Sequence, residues 1–143
     1  VLIDETTKKG LCVIDLDTVM PGLAVNDFGD SIRFGASTGA EDEKDLSKIS
    51  CDLGLFDVYT KGFVEGCEGI LTKEEIACLP LGAKVMTYEC GMRFLTDYLS
   101  GDVYFKTDYP THNLDRARTQ FKLVADMEEK WEEMQRITQK YIL

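Results

Sequence analysis

Two aspartates near the start of the chain carry the most suggestive chemistry. Asp15 and Asp17 stand at the end of an apolar run, residues 11–15, and before a loop that contains Pro21. If the run is a β-strand, side chains two apart point to the same face, with their backbones about 6–7 Å apart. Carboxylates placed this way suit Mg²⁺, with phosphate groups completing its coordination. The same spacing is also common in turns, so the pattern alone leaves both interpretations open.

A hairpin and a loop are needed to position these aspartates. Residues 1–4 and 11–15 are short apolar or β-branched runs on either side of a polar stretch, which predicts a β-hairpin. A single hairpin is only marginally stable in water, so we expect it to pack on another element. Residues 19–25 contain Pro and Gly and indicate a loop. A short helix is predicted over residues 27–36, with Asp27 as its N-cap.

The middle of the chain alternates between loop and helix signals. Residues 39–45 are polar and acidic, which indicates an exposed loop. Apolar residues recur at roughly helical spacing over residues 55–66, although two glycines interrupt them. Thr72 followed by Glu75 three residues later is a capping box. It predicts a helix over residues 73–79.

The second half of the chain predicts two long helices. Pro80 is expected to end the helix before it, and the strongest periodic pattern follows, with Gly101 as a stop signal. We predict that this helix faces the core through Leu81, Val85, Tyr88, Met92, Leu95 and Leu99. A second helix is predicted from Asn113 toward Tyr141. Its apolar stripe consists of Ala117, Phe121, Val124, Met127, Trp131, Met134 and Ile137.

Composition limits the class of protein. The 143 residues are 44% hydrophobic and 29% charged, which is typical of one folded domain. A net charge of -10 disfavours nucleic acid and anionic membranes as partners. The five cysteines form no C-x-x-C pair, which favours small buried residues in a reducing compartment over a zinc site. Neither a long apolar run nor a signal-peptide pattern occurs, so we predict a cytoplasmic location.

Three segments carry a resemblance to a known family. Residues 12–33 read C-V-I-D-L-D-T-V-M-P-G-L-A-V-N-D-F-G-D-S-I-R, and residues 88–99 and 101–105 read Y-E-C-G-M-R-F-L-T-D-Y-L and G-D-V-Y-F. A shorter match is His112-Asn113-Leu114. The chain resembles the aminoglycoside phosphotransferase and choline kinase superfamily, most closely its N-acetylhexosamine 1-kinase-like sugar kinases.

The resemblance implies a fold. That fold is α+β, mainly α: a small hairpin followed by a helical subdomain, as in the carboxy-terminal part of a protein-kinase-like fold. Residues 1–26 would be the hairpin and metal loop, and residues 27–143 the helical subdomain of the same C-lobe.

The resemblance also implies roles for individual residues. Asp15 would bind Mg²⁺ and the phosphates of ATP, and Asp17 is a weaker candidate for the same metal site. Phe34, Arg93 and Tyr104 would bind the sugar. The guanidinium could donate a fork of hydrogen bonds to sugar oxygens, and the aromatic rings could pack on a sugar face.

Structural interpretations of the same residues stay open. Phe34 and Tyr104 could be core side chains. Arg93 could pair with a nearby acid such as Asp97, one turn along its helix. His112 is the only histidine, and a lone histidine before a helix more often caps or packs than acts as a base.

The motifs that are missing are equally informative. Residues 27–29 spell the D-F-G of protein kinases, but no A-P-E follows, so Asp27 is interpreted as a cap. The chain contains no H-x-D-x-x-x-x-N catalytic loop and no Gly-rich phosphate loop. By the resemblance, Val1 would lie just after that catalytic loop. We therefore expect a fragment that is inactive alone.

Several functions are compatible with these observations. The whole protein is predicted to be an ATP-dependent sugar 1-kinase. Alternatives are a kinase of another small alcohol, such as choline, homoserine or an aminoglycoside, or a non-catalytic helical binding module. Apolar surface left uncovered where a kinase's other lobe would sit predicts self-association.

Overall fold

The computed structural model describes residues 1–142, which form an antiparallel hairpin followed by five α-helices. The chain is therefore α+β and mainly helical, as predicted. Its elements are β1 (Leu2–Ile3), β2 (Gly10–Cys12), α1 (Ala24–Gly35), α2 (Leu53–Gly66), α3 (Lys73–Leu99), α4 (His112–Glu129) and α5 (Trp131–Gln139). None of the helices within residues 1–142 is long and apolar enough to cross a bilayer.

The hairpin is shorter than predicted. Leu2 pairs with Cys12, and β2 ends there, so the predicted strand over residues 11–15 is wrong beyond Cys12. Asp4 closes the turn, because its side chain accepts hydrogen bonds from the backbone N–H groups of Thr6 and Thr7. We expected the hairpin to pack on another element. Every residue of both strands is exposed, so within residues 1–142 no other element covers it and that expectation is wrong.

Helix α1 starts earlier than predicted. Its N-cap is Leu23, which makes no side-chain capping bond, so the prediction of Asp27 as N-cap is wrong. Asp27 lies instead in the first turn, where its negative charge favours the helix dipole. Phe28, one residue on, is fully buried and packs edge-on against Phe56 and Phe63 of α2. Burial of that ring, rather than a cap, is the clearest stabilising feature of α1.

Helices α1 and α3 cross at a backbone contact. A Cβ built on Gly29 would lie 2.3 Å from the carbonyl oxygen of Gly82, and one built on Gly82 would lie 2.2 Å from that of Val25. Real Cβ atoms do not approach this closely, so only glycine permits this crossing.

Helix α3 begins as predicted but does not end at Pro80. The capping box forms: Glu75 N–H donates to Thr72 Oγ1 at 3.1 Å, and Thr72 N–H donates to the Glu75 carboxylate at 2.8 Å. Pro80 costs the helix one hydrogen bond. It is itself buried, and the helix continues to Leu99. Packing of the following turns against α1 and α4 outweighs the local penalty.

Most of the apolar stripe predicted to face the core is exposed, and Leu95 is half-buried. Leu81, Val85, Tyr88 and Met92 are between 44% and 49% exposed, and Leu99 is 75% exposed. The buried face of α3 is the opposite one and is rich in small residues: Gly82, Ala83, Thr87 and Gly91. Leu79 and Phe94 are buried on the same face. Small side chains let neighbouring helices approach closely, so the face that carries them is the one that is covered.

The last predicted helix is two helices. Lys130 separates α4 from α5, so the prediction of one helix to Tyr141 is wrong. The Lys130 ammonium donates to the carbonyl oxygen of Cys51 at 2.9 Å and lies 2.8 Å from Asp126 Oδ2. Most of the predicted stripe is nevertheless buried: Ala117, Val124, Met127, Met134 and Ile137.

Candidate functional site

An open cavity of about 650 Å³ lies beside the carboxy-terminal half of α3. The loop that follows this helix, residues 100–105, forms its other wall. The side chains that line it include Glu89, Met92, Arg93, Thr96, Val103, Tyr104 and Phe105. This size is within the range of cavities that bind small molecules.

Asp97 shapes this wall. Its buried carboxylate accepts hydrogen bonds from the backbone N–H groups of Val103, Tyr104 and Phe105 at 2.8 to 3.0 Å. Asn113 Nδ2 of α4 donates to the same carboxylate at 2.9 Å. Burial by itself raises the pKa of Asp97, but the hydrogen bonds outweigh it and hold the pKa below its usual value. One side chain thus fixes the backbone that presents Tyr104.

Arg93 lies at the centre of the cavity wall. Its guanidinium carbon is 5.7 Å from the ring centroid of Tyr104 and 5.4 Å from that of Phe105, within cation–π range. Its Nε is 3.7 Å from Glu89 Oε1, one turn earlier on α3. Arg93 therefore does pair with a nearby acid of its own helix, but that acid is Glu89 and not Asp97, whose carboxylate accepts the loop amides.

A second cavity of about 520 Å³ shares Glu89, Arg93 and Phe105 with the first. It is lined by charged residues of α1 and α4, and Glu41 lies between two of them. Glu41 Oε1 is 2.8 Å from Arg33 Nη1, and its Oε2 is 3.6 Å from Arg116 Nε.

Glu41 belongs to the stretch predicted as an exposed loop. That prediction is wrong in part, since Glu41, Asp42 and Glu43 are half-buried. The hydroxyl of Thr119 on α4 also donates to the carbonyl oxygen of Glu41. The Glu41 carboxylate therefore ties this loop to Arg33 of α1 and to Arg116 of α4.

His112 attaches the same loop to the start of α4. Its ring is buried and stacks on Tyr109 with centroids 4.5 Å apart. Nδ1 accepts the backbone N–H of Asp108 at 3.1 Å, and Nε2 is 3.4 Å from Asp42 Oδ2. Both ring nitrogens have structural partners, so His112 packs and bridges two loops.

The structure brings together two of the three predicted sugar-binding residues. Arg93 and Tyr104 line one cavity, whereas Phe34 is 73% exposed and lines neither cavity. Tyr104 is likewise 73% exposed, and both aromatic rings therefore lie outside the core. The sequence interpretation missed Asp97 as the group that holds the loop, and it missed Arg33. An acid in the last turn of a helix, four residues before Gly101, was the available signal for Asp97.

The two aspartates predicted to bind Mg²⁺ lie apart from these cavities. Asp15 and Asp17 are exposed and line neither cavity. Asp15 has a positive φ of 64°, so residues 13–17 do not follow the strand alternation assumed for the pair. Within residues 1–142, no three His, Cys, Asp or Glu side chains are grouped closely enough to hold a metal. Magnesium binding at this pair stays a prediction.

The arrangement can bind a small polar molecule. One wall offers a guanidinium and a carboxylate as hydrogen-bonding groups, and the other offers aromatic faces held by a rigid loop. No protein-family model matches the chain.

Proposed function

We propose that the chain contributes the acceptor-binding part of a kinase-like phosphotransferase that acts on a sugar of the N-acetylhexosamine type. The first cavity binds the sugar, with Arg93 donating to hydroxyl or acetamide oxygens and Tyr104 packing on the ring. The observation that supports this most directly is their juxtaposition. The two residues assigned to sugar binding by resemblance line one cavity, although they are eleven positions apart on a helix and a loop.

The pairing of Arg93 with Glu89 favours a neutral acceptor over a cationic one. Arg93 and Glu89 are the charged side chains near the cavity that are free to meet a ligand, and they lie 3.7 Å apart. Asp97 keeps its negative charge, but its oxygens accept loop amides and Asn113 and are not available to bond to a ligand. A sugar can exchange hydrogen bonds with both members of the pair, whereas choline or an aminoglycoside would have to displace the arginine.

The proposal extends to ATP and Mg²⁺ in the complete phosphotransferase. Mg²⁺ is commonly held by one or two carboxylates together with phosphate oxygens and water, and Asp15 and Asp17 are carboxylates of this kind. Both side chains are exposed, so their carboxylate oxygens are accessible to an ion. A bound ion there would neutralise charge on the transferring phosphate. The chain lacks the H-x-D-x-x-x-x-N sequence, so it is assigned acceptor binding and not the whole reaction.

Binding of N-acetylglucosamine, measured by saturation-transfer NMR and calorimetry, tests the proposal. Arg93→Ala removes the charged donor, and a lost hydrogen bond to a charged group is worth about 1.5–3 kcal/mol. We expect the dissociation constant to rise at least about tenfold. Tyr104→Ala should also weaken binding.

Arg118→Ala is the matched control, because Arg118 is an exposed arginine of α4 that lines neither cavity. It should leave binding unchanged. The proposal fails if the sugar shows no saturation transfer at tens of millimolar, on the order of the weakest specific binding. It fails equally if choline binds in the same cavity and the sugar does not.

A further inference from the structure

The exposed apolar face of α3 is bordered by two grooves. One, of about 620 Å³, lies between α3 and α4 and is lined by Tyr88, Phe121 and Val124. The other, of about 400 Å³, lies between α3 and the start of α1 and includes Leu23 and Cys78. Both share Leu81 and Val85. The two grooves are therefore one continuous apolar surface, which we call the α3 face.

The dimensions of the α3 face match a helix. It extends along α3 from Cys78 to Tyr88, a span of about 15 Å or three helical turns. Exposed apolar surface bordered by charged residues is characteristic of protein–protein contact sites. An amphipathic helix covers such a groove with residues at positions i, i+3, i+4 and i+7.

Charge around the α3 face selects the partner. Its charged lining residues are Glu74, Glu75, Glu128 and Lys84, and the lysine is already paired with Glu128 at 2.6 Å. The free charge is therefore negative, on a chain whose net charge is -10. A second copy of the chain would bring like charges together, whereas a basic helix would bring complementary ones.

We propose that the α3 face is a docking site for an amphipathic helix with a basic polar face. Its apolar stripe packs over Leu81, Val85 and Tyr88, and its lysines or arginines lie beside Glu74 and Glu75. The site is distinct from the Arg93–Tyr104 cavity and does not depend on the sugar-binding proposal.

The probe is a fluorescein-labelled synthetic peptide of about 18 residues, long enough for five turns. It carries leucine on one helical stripe and lysine elsewhere. A scrambled peptide of the same composition lacks the stripe, and a third peptide has glutamate in place of lysine. Fluorescence anisotropy with the intact chain should give at least about tenfold tighter binding for the striped basic peptide than for either other peptide.

Two variants locate the site. Val85→Asp should weaken binding of the striped basic peptide at least about tenfold. Leu99→Asp is the matched control, since Leu99 is on the same helix, is 75% exposed and lines neither groove. Circular dichroism checks that each variant is folded. If Val85→Asp does not fold, the double variant Glu74→Gln/Glu75→Gln decides, and it should weaken binding and reduce its salt dependence.

Three results would overturn the proposal. Equal binding of the scrambled peptide would show that net charge alone attracts it. Unchanged binding by both the Val85→Asp and the charge variant would place the contact elsewhere. Sedimentation could instead reveal a dimer of the chain. If Val85→Asp dissociated that dimer and the basic peptide did not, the occupant would be a second copy.

Discussion

Replacing Gly82 with alanine tests the closest helix contact in the molecule. Two effects oppose each other. Alanine is preferred over glycine inside a helix by about 1 kcal/mol. However, the new Cβ would lie 2.2 Å from the carbonyl oxygen of Val25, which is backbone and cannot rotate away. Helices α1 and α3 would have to separate by roughly 1 Å, which forfeits a quarter to a half of the dispersion attraction across the contact.

The steric effect should win. Overpacking costs about 1–3 kcal/mol, and a rigid backbone partner favours the upper end. After the gain in helix preference, we expect Gly82→Ala to destabilise the fold by about 2 kcal/mol. For a chain of 143 residues this lowers the melting temperature by about 7 °C. Thermal and urea unfolding followed by circular dichroism measure both values.

Gly62→Ala is the matched control. Gly62 is inside α2, and nothing lies within 4 Å of a Cβ built on it. Only the helix preference acts there, so this variant should gain up to about 1 kcal/mol. Gly29→Ala adds a Cβ to the same crossing from the α1 side. Its effect on the free energy of unfolding should therefore not be additive with that of Gly82→Ala. If Gly82→Ala proved as stabilising as Gly62→Ala, the backbone contact between α1 and α3 would be refuted.

Two further predictions concern ionisable groups. Burial alone would raise the pKa of Asp126, but bonds from Lys130 and the Cys51 amide outweigh it and lower the pKa. A carboxylate whose pKa is lowered by folding stabilises the folded state at pH values above its unfolded pKa of about 3.9. This contribution to the free energy of unfolding is lost as the pH falls through the folded-state pKa. Asp126→Asn should therefore cost about 1.5–3 kcal/mol near neutral pH. Urea titrations at several pH values should show this difference shrinking below about pH 4, and a constant difference would contradict the ion pair. Separately, burial raises the pKa of Cys51 to about 11. At pH 8 a thiol reagent should label exposed Cys12 and Cys78 rapidly but Cys51 only in denaturant, and rapid labelling of Cys51 would contradict its burial.

Signals contained within a few residues predicted the structure well. The Thr72–Glu75 capping box forms as expected, because its donors and acceptors are three positions apart on one turn. The mainly helical class and the helix over residues 55–66 also follow from local spacing. The juxtaposition of Arg93 and Tyr104 was not visible in this way, since it depends on Asp97 folding the loop back onto α3.

Tertiary packing decided the rest. Pro80 looks like a helix end when only its missing N–H is considered, yet buried neighbours carry α3 through it. The apolar stripe of Leu81 and Val85 looks like a core face, yet α1 and α4 cover the opposite face. That face holds Gly82, where the backbone of α1 approaches, and Gly91, where side chains of α4 pack. Sequence determines which residues form a helix through bonds within it. Which side of the helix is buried depends on the fit of its neighbours, and only the folded chain contains that information.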